Sequence, residues 1–208
     1  MRKKRFFFIV FEGVEGTGKS YQIKKLYTKL KSKKFTIIRT REPGGSNSAE
    51  KIRNLIFSKT IDQFDSLTDF YLMCAARNEH VKKLLLPAKR LKKIVICDRF
   101  IDSTYAYQVI GNKINKKINT LNQNYILNDL KPDLTIVLKS NTKTIFSRIK
   151  KRKQTNKFDK LKIKFYKKAQ NTYMNIAKNN NKYHVFDSSK NTPHLEKEIL
   201  KLVIQKLK

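Results

Sequence analysis

Residues Gly13 to Ser20 read GVEGTGKS, between the apolar run Phe6–Phe11 and a segment with helical periodicity. Glycine, four residues, glycine, lysine, serine in a strand–turn–helix context is a phosphate-binding loop. The glycines let backbone N–H groups turn inward on an anion, and the helix N-terminus adds the positive end of its dipole. Within the loop, Gly13, Val14, Glu15, Gly16, Thr17 and Gly18 are expected to line a nucleotide's polyphosphate. Lys19 is expected to reach the β- and γ-phosphates, and Ser20 to ligate Mg²⁺.

Working outward, the apolar runs Phe6–Phe11, Thr36–Arg39, Ile94–Cys97, Leu134–Leu138 and Tyr183–Phe186 read as strands. Helix-compatible segments separate them: Gly18–Lys31, Ser46–Phe57, Phe64–Lys92 with an interruption near Pro87, Leu121–Leu130 ended before Pro132, Thr142–Arg152, Leu161–Asn179 and His194–Lys206. Strands alternating with helices imply an α/β chain. The expected fold is a P-loop NTPase, a doubly wound parallel sheet of about five strands flanked by helices. Its 208 residues favour one domain, 1–208, with a short lid over about 148–160, where the polar stretch KKRKQTNKFDK begins at Lys150.

Ligands in parallel sheets bind at the carboxyl ends of strands. Asp98 and Arg99 stand there, directly after Ile94–Cys97. An acid at that place can hold Mg²⁺ or its waters, and an arginine can clamp a phosphate through two parallel hydrogen bonds. Arg41-Glu42-Pro43-Gly44-Gly45 follows the second strand and makes either a special loop beside an arginine or an ordinary strand-to-helix turn. Arg148 and Arg152 share one helix face. They read either as a solvated basic helix end or as guanidinium groups that neutralise a phosphoryl transition state.

A formal net charge of +32, from 48 Lys+Arg against 16 Asp+Glu, attracts polyanions. The lysines are spread along the chain and accompany abundant Asn and Ile, which is the bias of an AT-rich genome. Composition bias is therefore preferred to a nucleic-acid partner. Cys74 and Cys97, in apolar surroundings and outside any CxxC pair, read as buried free thiols of a reducing compartment. The opening MRKKRFFFIVF imitates a signal peptide, but its apolar run is too short and no small-residue cleavage site follows. With no stretch long enough to span a membrane, the expected location is the cytoplasm.

Together, FEGVEGTGKS, TREPGG, CAAR and CDRFIDSTYAYQ make this chain resemble the thymidylate kinases, from the Phe6 strand to the helix near Tyr173. The resemblance implies phosphoryl transfer from ATP to dTMP with Mg²⁺, in dTTP biosynthesis, by a homodimer. It implies that Glu15 lies near the sugar and phosphate of dTMP, and that Arg99 and Arg41 bind the acceptor phosphate. Arg77 would reach the thymine edge, with Ser103 and Thr104 facing the base. Tyr107 would crowd the 2′ position, and Gln108 would close the signature. An acidic residue in the loop, Glu15, implies the arrangement that supplies its catalytic arginine from the lid, which points to Arg152. Lys19, Arg99 and Asp98 complete the catalytic set, Arg148 joins the ATP site, and Ser20 with Asp98 forms the metal site.

Two single positions and one lid segment depart from the family pattern. Met73 stands where a phenylalanine often stacks on thymine, and Glu79 where glutamine is usual. The lid's usual Asp-Arg-x-Glu becomes Asn156-Lys157-Phe158-Asp159. Two other readings share the sequence: another nucleotide or deoxynucleoside kinase on the same fold, and a non-catalytic basic nucleic-acid-binding protein.

Overall fold

The computed structural model describes residues 5–58, 60, 62–151, 157–189 and 192–207. Five parallel strands, β1 (Phe7–Glu12), β2 (Ile37–Arg41), β3 (Ile94–Asp98), β4 (Leu134–Lys139) and β5 (Tyr183–Asp187), lie in the order β2-β3-β1-β4-β5. The chain adds β2 and β3 on one side of β1, then β4 and β5 on the other. That reversal opens a crevice at the carboxyl end of β1, as in other doubly wound sheets.

β1 explains its own position. All of FFIVFE is buried, and a strand buried on both faces reads as a continuous apolar run rather than an alternating one. Successive side chains still point to opposite faces. Phe7, Ile9 and Phe11 meet Ile23, Leu26 and Leu30 of α1 (Lys19–Ser32) and Leu195, Ile199 and Val203 of α9 (Thr192–Lys206). Phe8 and Val10 meet Val81, Leu85, Ala88, Leu127 and Leu130 on the other face. Full burial of each such side chain contributes about 1.5–3 kcal/mol.

The interruption expected near Pro87 is a change of helical register that joins two α-helices, not an end to the helix. α3 (Ser66–His80) runs through a π-helical turn, Val81–Leu85, into α4 (Leu86–Arg90). In that wider turn the Leu86 N–H donates to Val81 O, five residues back. Proline lacks an N–H and crowds the carbonyl four residues before it, and the π register accommodates it. Asp65 caps α3, accepting from the Leu67 and Thr68 N–H groups.

Two further boundaries are corrected. α6 spans Lys116–Leu127, earlier than Leu121–Leu130, because Asn115 caps its start and accepts from the Lys117 N–H. Asn128, in left-handed conformation at φ 46°, ends it before Pro132 matters. Periodicity also assigned no helix to α5 (Ile101–Thr104) or the π-helical segment Tyr105–Gly111 that continues it. Turns bonded i to i+5 do not keep the 3.6-residue repeat by which helices are recognised. Beyond these, α2 (Asn47–Ile56), α7 (Thr142–Lys150) and α8 (Ile163–Ala177) fall where expected within a few residues. Among the described residues no helix is long and apolar enough to cross a membrane, and Cys74 and Cys97 are buried free thiols.

Candidate active site

The carboxyl ends of β1, β2 and β3 are in register, with Phe11 and Arg41 both opposite Asp98. This alignment brings Glu12, Arg41–Glu42 and Asp98–Arg99 to one edge of the sheet beside the glycine loop. The loop is held by backbone contacts. Gly13 adopts φ +135°, and a Cβ there would lie 2.3 Å from the Leu138 carbonyl oxygen; at Gly16 it would lie 2.7 Å from that of Ile145. Lys19 Nζ donates to the carbonyls of Gly13 (2.8 Å) and Val14 (3.0 Å), and Thr17 Oγ1 also donates to Val14 O. Burial, reinforced by the Arg99 charge, lowers the Lys19 pKa to about 8. Arg148 reaches the loop from α7, donating to Gly16 O at 3.3 Å and Ser188 O at 2.8 Å.

Ser20 Oγ donates to Asp98 Oδ2 at 2.9 Å, while Asp98 Oδ1 is buried with no hydrogen-bond partner. Arg41 lines the same polar cleft as Ser20 and Asp98, and its guanidinium is engaged by Glu50 at 2.7 Å. It does not line the neighbouring cavity that holds most of the expected acceptor residues.

That cavity is lined by Glu15, Glu42, Pro43, Phe100 and Tyr107 among others. Two arginines reach it from different elements. Arg77 Nε donates to Glu42 Oε2 at 2.7 Å, and Nη2 donates to Thr104 Oγ1 and Phe100 O; Nη1 is buried and has no partner. Arg99, at φ 71°, directs Nη2 to Glu15 Oε1 at 2.6 Å and Nη1 to Ser103 Oγ and Tyr173 OH. Tyr107 OH donates to the other Glu15 oxygen. Burial pushes the Glu15 carboxyl up, but Arg99, Lys19 and this hydroxyl together hold it below the usual carboxylate range. Met73 and Gln108 line the cavity, so methionine does cover one wall. Glu79 does not: it pairs on the surface with Lys83 at 2.9 Å. The hydroxyls of Ser103 and Thr104 are already engaged by protein partners.

Sequence reading missed four members of this site. Glu12 is fully buried and accepts from the Phe100 and Ser103 N–H groups and from Ser103 Oγ. Glu42 bridges Arg77 to His80, whose Nδ1 lies 2.9 Å from Glu42 Oε1 and whose Nε2 lies 2.8 Å from Thr40 Oγ1. Tyr173 brings its hydroxyl from α8. The one available signal was an acid ending an apolar strand at Glu12; a paired, buried carboxylate is the only economical use of such a residue. On the lid, Arg152 and Asn156 lie outside the described residues. The 3₁₀ turn Lys157–Lys160 sets the Phe158 ring edgewise on Tyr107 at 5.2 Å and on Phe57 at 5.8 Å, closing one side of the cavity.

A phosphate loop beside a cavity lined by two arginines offers anion-binding groups at two neighbouring places. Comparison with known proteins gives that arrangement a family. The family model described as thymidylate kinase matches residues 11–199. The chain belongs to the thymidylate kinase family. A thymidylate kinase of Aster yellows witches'-broom phytoplasma is 40% identical, covering 97% of this chain and 96% of the relative. One from Onion yellows phytoplasma is 38% identical over the same shares. The crystal structure of thymidylate kinase from Ehrlichia chaffeensis superposes with a TM-score of 0.75 at 30% identity, covering 96% of this chain and 99% of that one. As a thymidylate kinase family member the chain is a P-loop phosphotransferase with ATP as co-substrate, and nothing among these matches supports a non-catalytic nucleic-acid binder.

Proposed function

We propose that this chain transfers the γ-phosphoryl group of ATP to dTMP, giving dTDP and ADP on the route to dTTP. The observation that carries the reading is the cavity: Arg77 and Arg99 both line it, Arg77 Nη1 is buried without a partner, and Tyr107 and Phe158 stand on its wall. Arg77 Nη1 is a donor suited to a carbonyl on the base. Arg99 is a planar cation suited to the acceptor phosphate.

An oxygen of the dTMP phosphate attacks the γ-phosphorus in line; the bond from that phosphorus to the β,γ-bridging oxygen breaks, and ADP leaves with the electron pair. A phosphate monoester is already largely ionised near neutral pH, with a second pKa of about 6, so no strong general base is required. Catalysis then rests on positioning and charge neutralisation. Lys19 leaves its loop carbonyls for the β- and γ-phosphates, and Arg99 exchanges Glu15 for the acceptor. Arg41, in the neighbouring cleft, approaches the acceptor phosphate by leaving Glu50. Arg148 borders the ATP site, and Arg152 supplies lid charge to the transferring group. Ser20 and the unpartnered Asp98 Oδ1 form a small oxygen set, which suits Mg²⁺, an ion that keeps several waters and phosphate oxygens. When bound there it would neutralise charge on the β- and γ-oxygens.

A homodimer is supported by large apolar side chains left exposed one helical turn apart, Leu67 and Tyr71 on α3 and Leu121 and Tyr125 on α6. The buried free cysteines suit the cytoplasm. An assay of dTMP, dUMP, thymidine, CMP and GMP with ATP tests the substrate, dTMP being expected to give the highest kcat/KM. A higher value for another acceptor overturns the assignment. In the same assay Arg152→Ala is expected to lower kcat by about a thousandfold; a raised KM for ATP alone would remove its catalytic role.

A further inference from the structure

Arg99 is held along two edges that differ in kind. Its Nη2 faces a charged partner, Glu15, at 2.6 Å. Its Nη1 faces two neutral hydroxyls, Ser103 Oγ at 3.0 Å and Tyr173 OH at 3.2 Å. Behind Ser103 stands Glu12. Its Oε1 accepts from the Phe100 N–H (2.8 Å) and the Ser103 N–H (3.2 Å), and its Oε2 lies 2.6 Å from Ser103 Oγ.

The proton count around these atoms has one solution. A serine hydroxyl has one proton and two lone pairs. With the Ser103 proton on Glu12 Oε2, Ser103 Oγ accepts from Arg99 Nη1 and from Tyr173 OH, 2.9 Å away. Tyr173 OH then accepts the second Nη1 proton, and every donor in the ring has an acceptor. Were Ser103 to receive a proton from position 12 instead, its own proton would turn to Tyr173, whose proton would have no acceptor in the ring.

We propose that Glu12 is a positioning residue for the acceptor phosphate: through Ser103 and Tyr173 it anchors the Nη1 edge of Arg99, leaving the Nη2 edge to exchange Glu15 for phosphate. The inference rests on the dTMP reading of the cavity. It assigns Glu12 no contact with substrate. Its carboxyl lies at the end of a central strand, where burial raises its pKa against the opposing charge of Arg99.

Glu12→Gln keeps the shape and the acceptor for the two backbone N–H groups, but presents an amide donor to Ser103. Calorimetric titration of the full chain with dTMP and with thymidine separates phosphate anchoring from general damage, because thymidine has no phosphate for Arg99. Glu12→Gln is expected to weaken dTMP binding about tenfold and to move thymidine by less than about twofold. Ser103→Ala should do the same, and Glu12→Gln with Ser103→Ala should be no worse than Ser103→Ala alone. If Glu12→Gln does not fold, Ser103→Ala and Tyr173→Phe carry the test, each expected to weaken dTMP selectively. Equal weakening of both ligands, no weakening of either, or multiplying effects in the double variant overturns the positioning role. If the unaltered protein binds dTMP no tighter than thymidine, the dTMP reading itself falls, and the inference with it.

Discussion

The glycine loop and the acceptor cavity adjoin each other, yet they are stabilised by opposite means. The loop is held by main chain: Lys19, Thr17 and Arg148 all donate to carbonyls, and Gly13 and Gly16 press against the carbonyls of Leu138 and Ile145. The cavity is held by side chains on side chains: Glu42 on Arg77 and His80, Glu15 on Arg99 and Tyr107, Glu12 on Ser103. The difference matches the ligands proposed for them. A polyphosphate presents repeated oxygens, which backbone N–H groups and one lysine can bind. A particular nucleotide presents a base edge, a sugar and one phosphate, and distinguishing these takes individual donors held in place.

The largest test of this contrast is Lys19→Ala. It removes the one side-chain charge among the described residues of the loop that can follow the γ-phosphate, so kcat is expected to fall by about a thousandfold or more while dTMP binding by calorimetry stays nearly normal. The lowered Lys19 pKa of about 8 adds a sign. The amine is charged below that pH and neutral above it, so kcat/KM for ATP should decline as pH rises through about 8. A flat profile to pH 9, or near-normal turnover in Lys19→Ala, breaks the donor half.

Glu42→Gln should act on the other half. Burial pushes the Glu42 carboxyl up, but Arg77 and His80 hold it below the usual range, so the carboxylate form does the bridging. Removing its charge leaves Arg77 buried beside a neutral amide. Urea unfolding should show a loss of about 3 kcal/mol, and KM for dTMP should rise at least tenfold while KM for ATP stays within about twofold. Equal changes in the two KM values would mean that the cavity is not separately built. The smallest effect concerns the exposed Arg41–Glu50 pair, with Arg41 52% exposed at its side chain. Arg41→Ala should change stability by less than about 1 kcal/mol and raise KM for dTMP only severalfold. A loss as large as that of Glu42→Gln would place Arg41 inside the buried set.

Much of this was legible in the chain itself. The run Phe6–Phe11 pointed to a central parallel strand, the glycine spacing to a phosphate loop, and Asp98–Arg99 to a site at a strand end. These signals are local: a turn, a hydrophobic period or a capping residue needs only its neighbours. The misreadings were local as well. Over Val81–Leu85 and Tyr105–Gly111 the backbone takes i to i+5 turns, and a period count cannot register them.

What residues alone determined is the list of parts: a P-loop, an arginine after each of two strands, an acid in the loop, and, through the family resemblance, the reaction. Tertiary structure decided how the parts pair. Glu12 and Ser103 are 91 positions apart, Glu15 and Arg99 84, and Arg99 and Tyr173 74. Burial, not spacing, turned those carboxylates from surface charges into fixed partners. A charge taken out of water must find a partner wherever the fold supplies one. The sheet's strand order brings these residues together.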